Sequence, residues 1–219
     1  ILMFLLFLIA FAVNYYYGSK GVFPIDTFAH FDSGYRILNG SSPITDYWAT
    51  TGLAIDYFQS LFFLIFGVNW KSYLIHSSLI NAILTLSIFI LLKKFDLNKY
   101  YCFFYSLCFA ILAYPSVGVP FPDHHSSFFS LLAIIFLLIA IKENKFFYWL
   151  FIPVFLFIAF FSKQTPAGHI ILLCIFFMTY YSFIKKNTQW IFPVILGTSV
   201  SLIFLCVFLL VEKVDFNLF

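Results

Sequence analysis

Residues 52–67 read GLAIDYFQSLFFLIFG, and the fold turns on whether this stretch crosses a membrane. It is apolar and bounded by glycines, yet Asp56 and Gln59 stand near its start. A spanning helix needs roughly 17–25 predominantly apolar residues. This stretch is short and polar at one end, so it reads as a helix lying along the interface or only partly inserted. Counting it as a span would reverse the side assigned to every later loop.

The chain around it has 219 residues, of which 63% are hydrophobic, 24% aromatic and only 10% charged. Soluble domains carry about 25% charged residues, so this chain lacks the side chains to cover a water-facing surface and reads as an integral membrane protein. Its 34 Phe residues are interspersed with Leu and Ile rather than alternating with polar residues. That pattern excludes an outer-membrane barrel, whose strands alternate lipid-facing and lumen-facing side chains, and favours helices, which satisfy their own backbone. The expected fold is an all-α membrane protein, a polytopic helical bundle of about seven transmembrane helices. Interfacial helices are expected in its first outward loop.

A net charge of +3 is too small to imply nucleic acid as a partner. Cys102, Cys108, Cys174 and Cys206 lie inside apolar runs without CxxC spacing. They read as buried small residues rather than metal ligands or disulfides. The chain begins at Ile1 inside one apolar run and ends soon after another, so it reads as a fragment. It is expected to be one transmembrane domain over residues 1–219, with an outward loop bearing two interfacial helices over 18–71. Neither a basic stretch nor a small-residue cleavage site marks a signal peptide.

Candidate spans are residues 1–17, 72–92, 100–117, 126–141, 146–161, 167–184 and 190–211. With 52–67 left out, Lys93, Lys94, Lys99, Lys142, Lys145, Lys185 and Lys186 share one side. Lys20, Arg36, Lys71, Lys163 and Lys213 share the other, which includes a long loop. The short-loop bias makes the first set cytoplasmic. Acids agree: Asp26, Asp32, Asp46, Asp56, Asp123, Glu212 and Asp215 fall opposite the basic loops, and only Asp96 and Glu143 fall with them. Three outward breaks then collect the unusual polar residues: 18–51, 120–129 (PFPDHHSSFF) and 161–169 (FSKQTPAGH). Trp48, Trp70, Trp149 and Trp190 fall near span ends and read as interface anchors. His76, Ser77, Ser78 and Asn81 are expected to bond between helices, with His76 near the outer end.

In the first loop, Phe28, Phe31, Tyr35 and Leu38 recur at spacings of three and four. That predicts an amphipathic helix over 27–38, with Asp26 or Thr27 near its N-cap and Asn39-Gly40 at its end. On it Asp32 and Arg36 are i,i+4 neighbours, by themselves a surface ion pair worth about 0.3–0.5 kcal/mol. In 120–129, Pro120 and Pro122 end the preceding helix, and Asp123 or Ser126 can cap the next one. One reading of that stretch is a cap and a wet loop. The other makes Asp123, His124 and His125 the lining of a pocket.

The ordered series is more specific than any one motif. A first span is followed by DSGYRILNG (32–40), by the turn PITDYW (43–48) and by YFQSLFFLIFG (57–67); a long span ending in LLKKF (91–95) comes next, and FIAFFSKQTPAG (157–168) later. This series resembles the N-terminal half of the GT-C glycosyltransferases. The likeness is to glycosyltransferase family 39-like enzymes, the bacterial relatives of protein O-mannosyltransferases and aminoarabinose transferases. The resemblance implies transfer of a sugar from a polyprenyl-phosphate carrier to a lipid, glycan or protein acceptor on the outer side. The place implied is the bacterial inner membrane, with multiple spans and the active face toward the periplasm. It also implies an acid in the first outward loop, and Asp32 occupies that position. Many such enzymes carry Asp-Glu there. This chain has Asp32-Ser33, so the second acid's role is vacant or moved, and Asp123 or Asp26 can fill it.

The residue types fit this chemistry. Displacing a lipid phosphate from an anomeric carbon calls for a base and for positive charge at the leaving group. Asp32 is the expected base, with Asp123 as the second catalytic candidate. Arg36 and Lys163 are candidates for the phosphate, Arg as a bidentate clamp and Lys as a point charge. Asp26, His30, His124, His125 and Gln164 are the remaining expected substrate contacts. No cofactor is otherwise called for, but a divalent cation, Mg²⁺ or Mn²⁺, at Asp32 and Asp123 stays open; adjacent histidines would suit it only in a loop. Competing readings are a transporter or flippase of lipid-linked sugars, an O-antigen ligase or polymerase type of enzyme, and a non-catalytic scaffold. A transporter would put ionisable groups near the midplane and show paired broken spans.

Overall fold

The computed structural model describes residues 1–21, 26–47, 49, 52–113 and 118–213, without the side chains of residues 26 and 27. The expected roles of Asp26, Thr27 and Trp48, the end of the 100–117 span and Asp215 lie outside the described residues. Among the described residues there are nine helices and no strand: α1 (Leu2–Gly18), α2 (Asp26–Leu38), α3 (Leu53–Phe66), α4 (Trp70–Lys94), α5 (Lys99–Leu112), α6 (Pro122–Glu143), α7 (Phe146–Ser162), α8 (Gln164–Lys185) and α9 (Ile191–Val211). Four of them, α4, α6, α8 and α9, are long and apolar enough to cross a membrane. The other expected spans, α1, α5 and α7, are apolar but shorter, as is α3. The chain is all-helical over the described residues and a membrane protein.

Local chemistry sets these ends. Asn69 Oδ1 caps α4 by accepting from the Ser72 N–H at 3.0 Å, and Asn98 caps α5 through Tyr100 N–H at 2.9 Å, as N-cap residues do. Gly67, at φ +80°, closes α3. Lys93 and Lys94 end α4, Lys142 ends α6 and Lys185 ends α8, where positive charge complements the helix dipole.

The expected loop over 120–129 is shorter than its sequence suggests. The stretch at 120–129 is a loop only as far as Phe121, because Pro122 opens α6. Proline suits the first helical position, where its missing N–H has no partner to lose. Asp123, His124 and His125 therefore stand in a helical first turn, where neighbouring side chains diverge. Ser126 is not the cap either, since its hydroxyl donates to the Lys163 carbonyl at 2.8 Å.

The chain forms two compact units: residues 1–39 with 54–125, and 40–53 with 126–219. In the first, α1, α4 and α5 enclose a core bridged by polar side chains. Asn14 Nδ2 reaches Ser77 and Ser78 at 3.1 Å each, and Asn81 Nδ2 donates to the carbonyls of Ala10 and Ala110, also at 3.1 Å. The interhelical bonding expected of Ser77, Ser78 and Asn81 is present. Gly118, at φ +66°, lies against Gly18 so closely that a Cβ on either would strike the other's backbone. In the second unit, Ala133, Leu137, Trp149, Leu156 and Met178 belong to one apolar core spanning α6, α7 and α8. Trp149 is 1% exposed, so it is a core residue rather than the interface anchor its position suggested. Its indole N–H donates to Asn144, whose amide donates to Gln189, tying the α6–α7 and α8–α9 turns together.

Candidate functional site

In the first unit the site is built on α2. Phe31 packs edge-on against Phe63 of α3 and Tyr73 of α4, and Phe28 sits beside Trp70. His30, Ser33 and Gly34 are buried, while Asp32, Tyr35 and Arg36 face out. The outward side displays the expected pair: Arg36 Nε donates to Asp32 Oδ2 at 2.7 Å, with side chains 49% and 59% exposed. The acid and the guanidinium are thus held together on a helix whose other side is anchored.

The buried side joins His30, an expected site residue, to Asp56, which is absent from the expected site. His30 Nδ1 donates to Asp56 Oδ1 at 2.6 Å, and Ser33 Oγ donates to Asp56 Oδ2 at 2.8 Å. Ser33, standing where the resemblance puts a second acid, therefore meets a carboxylate from α3. One turn further along α3, Gln59 Oε1 lies 2.9 Å from His76 Nδ1, and His76 Nε2 lies 3.2 Å from His125 Nε2. His125 Nδ1 faces the Phe121 carbonyl at 3.1 Å, so that nitrogen holds the proton. His76 Nδ1 likewise donates to the Gln59 oxygen. With both rings neutral the two Nε2 atoms are then acceptors, and a proton between them requires the opposite orientation of the Gln59 amide or one protonated ring.

His30 and His125, expected to touch substrate, are 2% and 0% exposed and bonded to protein partners. Asp123 and His124 are half-buried in the first turn of α6. Among the described residues, no group of three or more His, Cys, Asp and Glu is gathered to hold a metal ion.

In the second unit Lys163 and Gln164 lie at the α7–α8 break. Lys163 is extended (φ −164°, ψ 130°), and Gln164 starts the next helix. The break is held by Ser126 on its carbonyl and by Gly52, which fits so tightly over the carbonyls of Phe161 and Ser162 that any Cβ would clash. A cavity of about 710 Å³ opens here, lined among others by Asp46, Tyr47, Lys163, Gln164 and Thr165. The expected Lys163 and Gln164 therefore share one cavity. Asp46, absent from the expected site, joins them. The Ser42 backbone N–H (2.9 Å) and then the Thr45 hydroxyl (3.0 Å) hold its carboxyl below the usual carboxylate range.

No curated protein and no solved structure matches this chain. A family model does match, over residues 50–211: dolichyl-phosphate-mannose-protein mannosyltransferase. The match begins just after the PITDYW turn and takes in α3 to α9, with Asp56, Asp123 and Lys163. The chain belongs to this family, a glycosyltransferase family of the GT-C type that works in membranes with lipid-linked sugars.

Proposed function

We propose that this protein transfers a sugar from a polyprenyl-phosphate carrier to an acceptor on the outer, periplasmic face of a bacterial inner membrane, with Asp32 as the base. The observation that carries the proposal is the exposed Asp32–Arg36 pair at 2.7 Å, presented by a helix that is buried on its opposite side. The carboxylate takes the acceptor hydroxyl's proton as the oxygen attacks the anomeric carbon, and the lipid phosphate departs with the bonding electrons. Arg36 and Lys163 are each proposed as a candidate positive charge for that phosphate. Asp123, Asp26, His124 and Gln164 are proposed as further contacts, and His30 and His125 serve by holding the helices. Asp32 and Asp123 are the carboxylates that would hold a divalent cation, Mg²⁺ or Mn²⁺, which would supply positive charge for the departing phosphate; EDTA sensitivity of turnover reads that out.

The test is sugar transfer by the full-length protein in proteoliposomes, offered polyprenyl-phosphate mannose and then other polyprenyl-phosphate sugars. Asp32→Asn should lower turnover about 100-fold or more, the size of a lost general base. Unchanged turnover would move the base to Asp26 or Asp123. Movement of the lipid across the bilayer without sugar release would replace the transferase by a transporter.

A further inference from the structure

Helix α3 is apolar in composition yet polar on one face. Asp56, Gln59 and Ser60 fall at i, i+3 and i+4 and are 2%, 0% and 8% exposed, whereas Leu61, Leu64, Ile65 and Phe66 point outward. A carboxylate withdrawn from solvent needs partners for its oxygens, and Asp56 takes both from α2. His30 and Ser33 are three positions apart, so the two oxygens grip one face of α2 over a full turn. Aromatic packing of Phe28 and Phe31 holds α2 in place without directionality, and the two bonds to Asp56 add a defined roll about its axis.

The glycine after Ser33 brings the helices closer still. A Cβ at Gly34 would lie 2.9 Å from Gln59 Cγ and 3.0 Å from its Cβ, so α2 rests almost directly on α3. Asp32 and Arg36 project from the opposite side. The direction in which Asp32 points is therefore set by a residue that touches neither it nor the solvent.

We propose that Asp56 is the positioning residue of the transfer site: through His30 and Ser33 it sets the roll of α2 and so the aim of the Asp32 carboxylate. The proposal rests on the reading of Asp32 as the base. Reactive groups must be held to within about 0.5 Å, and a misplacement of about 1 Å costs on the order of 100-fold in rate.

The experiment uses the full-length protein in proteoliposomes with polyprenyl-phosphate mannose, or with whichever donor the wild type consumes. Asp56→Asn should lower kcat about 10- to 100-fold in the wild-type background. In an Asp32→Asn background it should cost less than about threefold more, because a base already lost cannot be mis-aimed. Loss of folded protein would lower both backgrounds by the same factor. Equal factors, or wild-type turnover in Asp56→Asn, would overturn the proposal. If Asp56→Asn does not fold, Ser33→Ala removes one grip and keeps the His30–Asp56 pair, and the same comparison of backgrounds decides. A second readout needs no turnover: a nitroxide on Tyr35→Cys, with Cys102, Cys108, Cys174 and Cys206 replaced by Ala, reports the motion of α2. Asp56→Asn or Ser33→Ala should mobilise it, and an unchanged spectrum would overturn the proposal. Should the wild type consume no donor, the functional reading fails and the label alone judges Asp56.

Discussion

Asn81 and Trp149 are both buried at the centre of a unit, and they hold their helices by different means. Asn81 reaches two backbone carbonyls, one on α1 and one on α5, at 3.1 Å each. Trp149 fills volume against Tyr181 and Trp190, with its single N–H passed to Asn144. The contrast runs through both units. The first has Asn14, Ser77, Asn81, Gln59, His76 and Asp56 buried among its apolar side chains, whereas the buried core of the second is mainly aromatic and aliphatic. A membrane gives no hydrophobic reward for moving an apolar side chain from lipid to protein, so helices there associate through close packing and interhelical hydrogen bonds. Both units use both terms, in different proportion: apolar clusters around Leu6, Ala82 and Tyr73 accompany the bonds of the first, and the Trp149–Asn144–Gln189 chain accompanies the packing of the second. Helices held by directional bonds have a defined roll as well as a defined distance, which suits the unit carrying Asp32.

The largest effect should come from volume. Trp149→Ala is expected to cost about 3–5 kcal/mol, as large-to-small changes at packed aromatic sites do, and to be read as a lowered thermal midpoint in detergent. Asn81→Leu keeps the branched shape at somewhat larger volume and removes two directional bonds, and is expected to cost about 1–2 kcal/mol. If Asn81→Leu proved the more damaging, the division into a bonded and a packed unit would fail. The pair of variants also separates stability from function, since neither residue lies on α2.

Much of this division could be read from the sequence. The run of apolar segments gave the helices, and the three-and-four spacing of Phe28, Phe31, Tyr35 and Leu38 gave α2 to within a residue. The Asp32–Arg36 pair followed from its spacing alone. Asp56 is harder to find, because length and a polar start speak to whether the stretch spans and not to which of its faces is buried. Its signal lay in the phase: Asp56, Gln59, Ser60 and Phe63 share one face, and all are buried. A polar stripe on an apolar helix has its polar side inside, because the lipid side admits nothing else. The helical first turn at Pro122–His125 was legible too, since proline followed by an acid is a helix start. The doublet of histidines between two prolines and an apolar run points equally well to a loop. The His30–Asp56 and His76–His125 contacts were not legible, because each joins residues far apart in sequence whose meeting depends on helix roll.

The smallest expected effect lies at the cavity of the second unit, where a polar bond works in the open. Asp46 closes a turn on Ser42 and Thr45, and these bonds favour its ionised form. A carboxyl whose pKa is lowered on folding stabilises the turn while ionised. That contribution is complete above its ordinary value of 3.8 and fades as the pH falls through the lower folded value. The turn should therefore stay ordered from neutral pH down past 4, and loosen only under stronger acid. A nitroxide on Ser41→Cys in the cysteine-free background measures this, and Asp46→Asn should give the loosened spectrum already at neutral pH. The change should be local, because an exposed carboxylate is screened by water and salt. A spectrum insensitive to both pH and Asp46→Asn would mean that the turn is held by the fit of Gly52 over the α7–α8 break alone. The second unit would then owe its cavity to packing, as it owes its core.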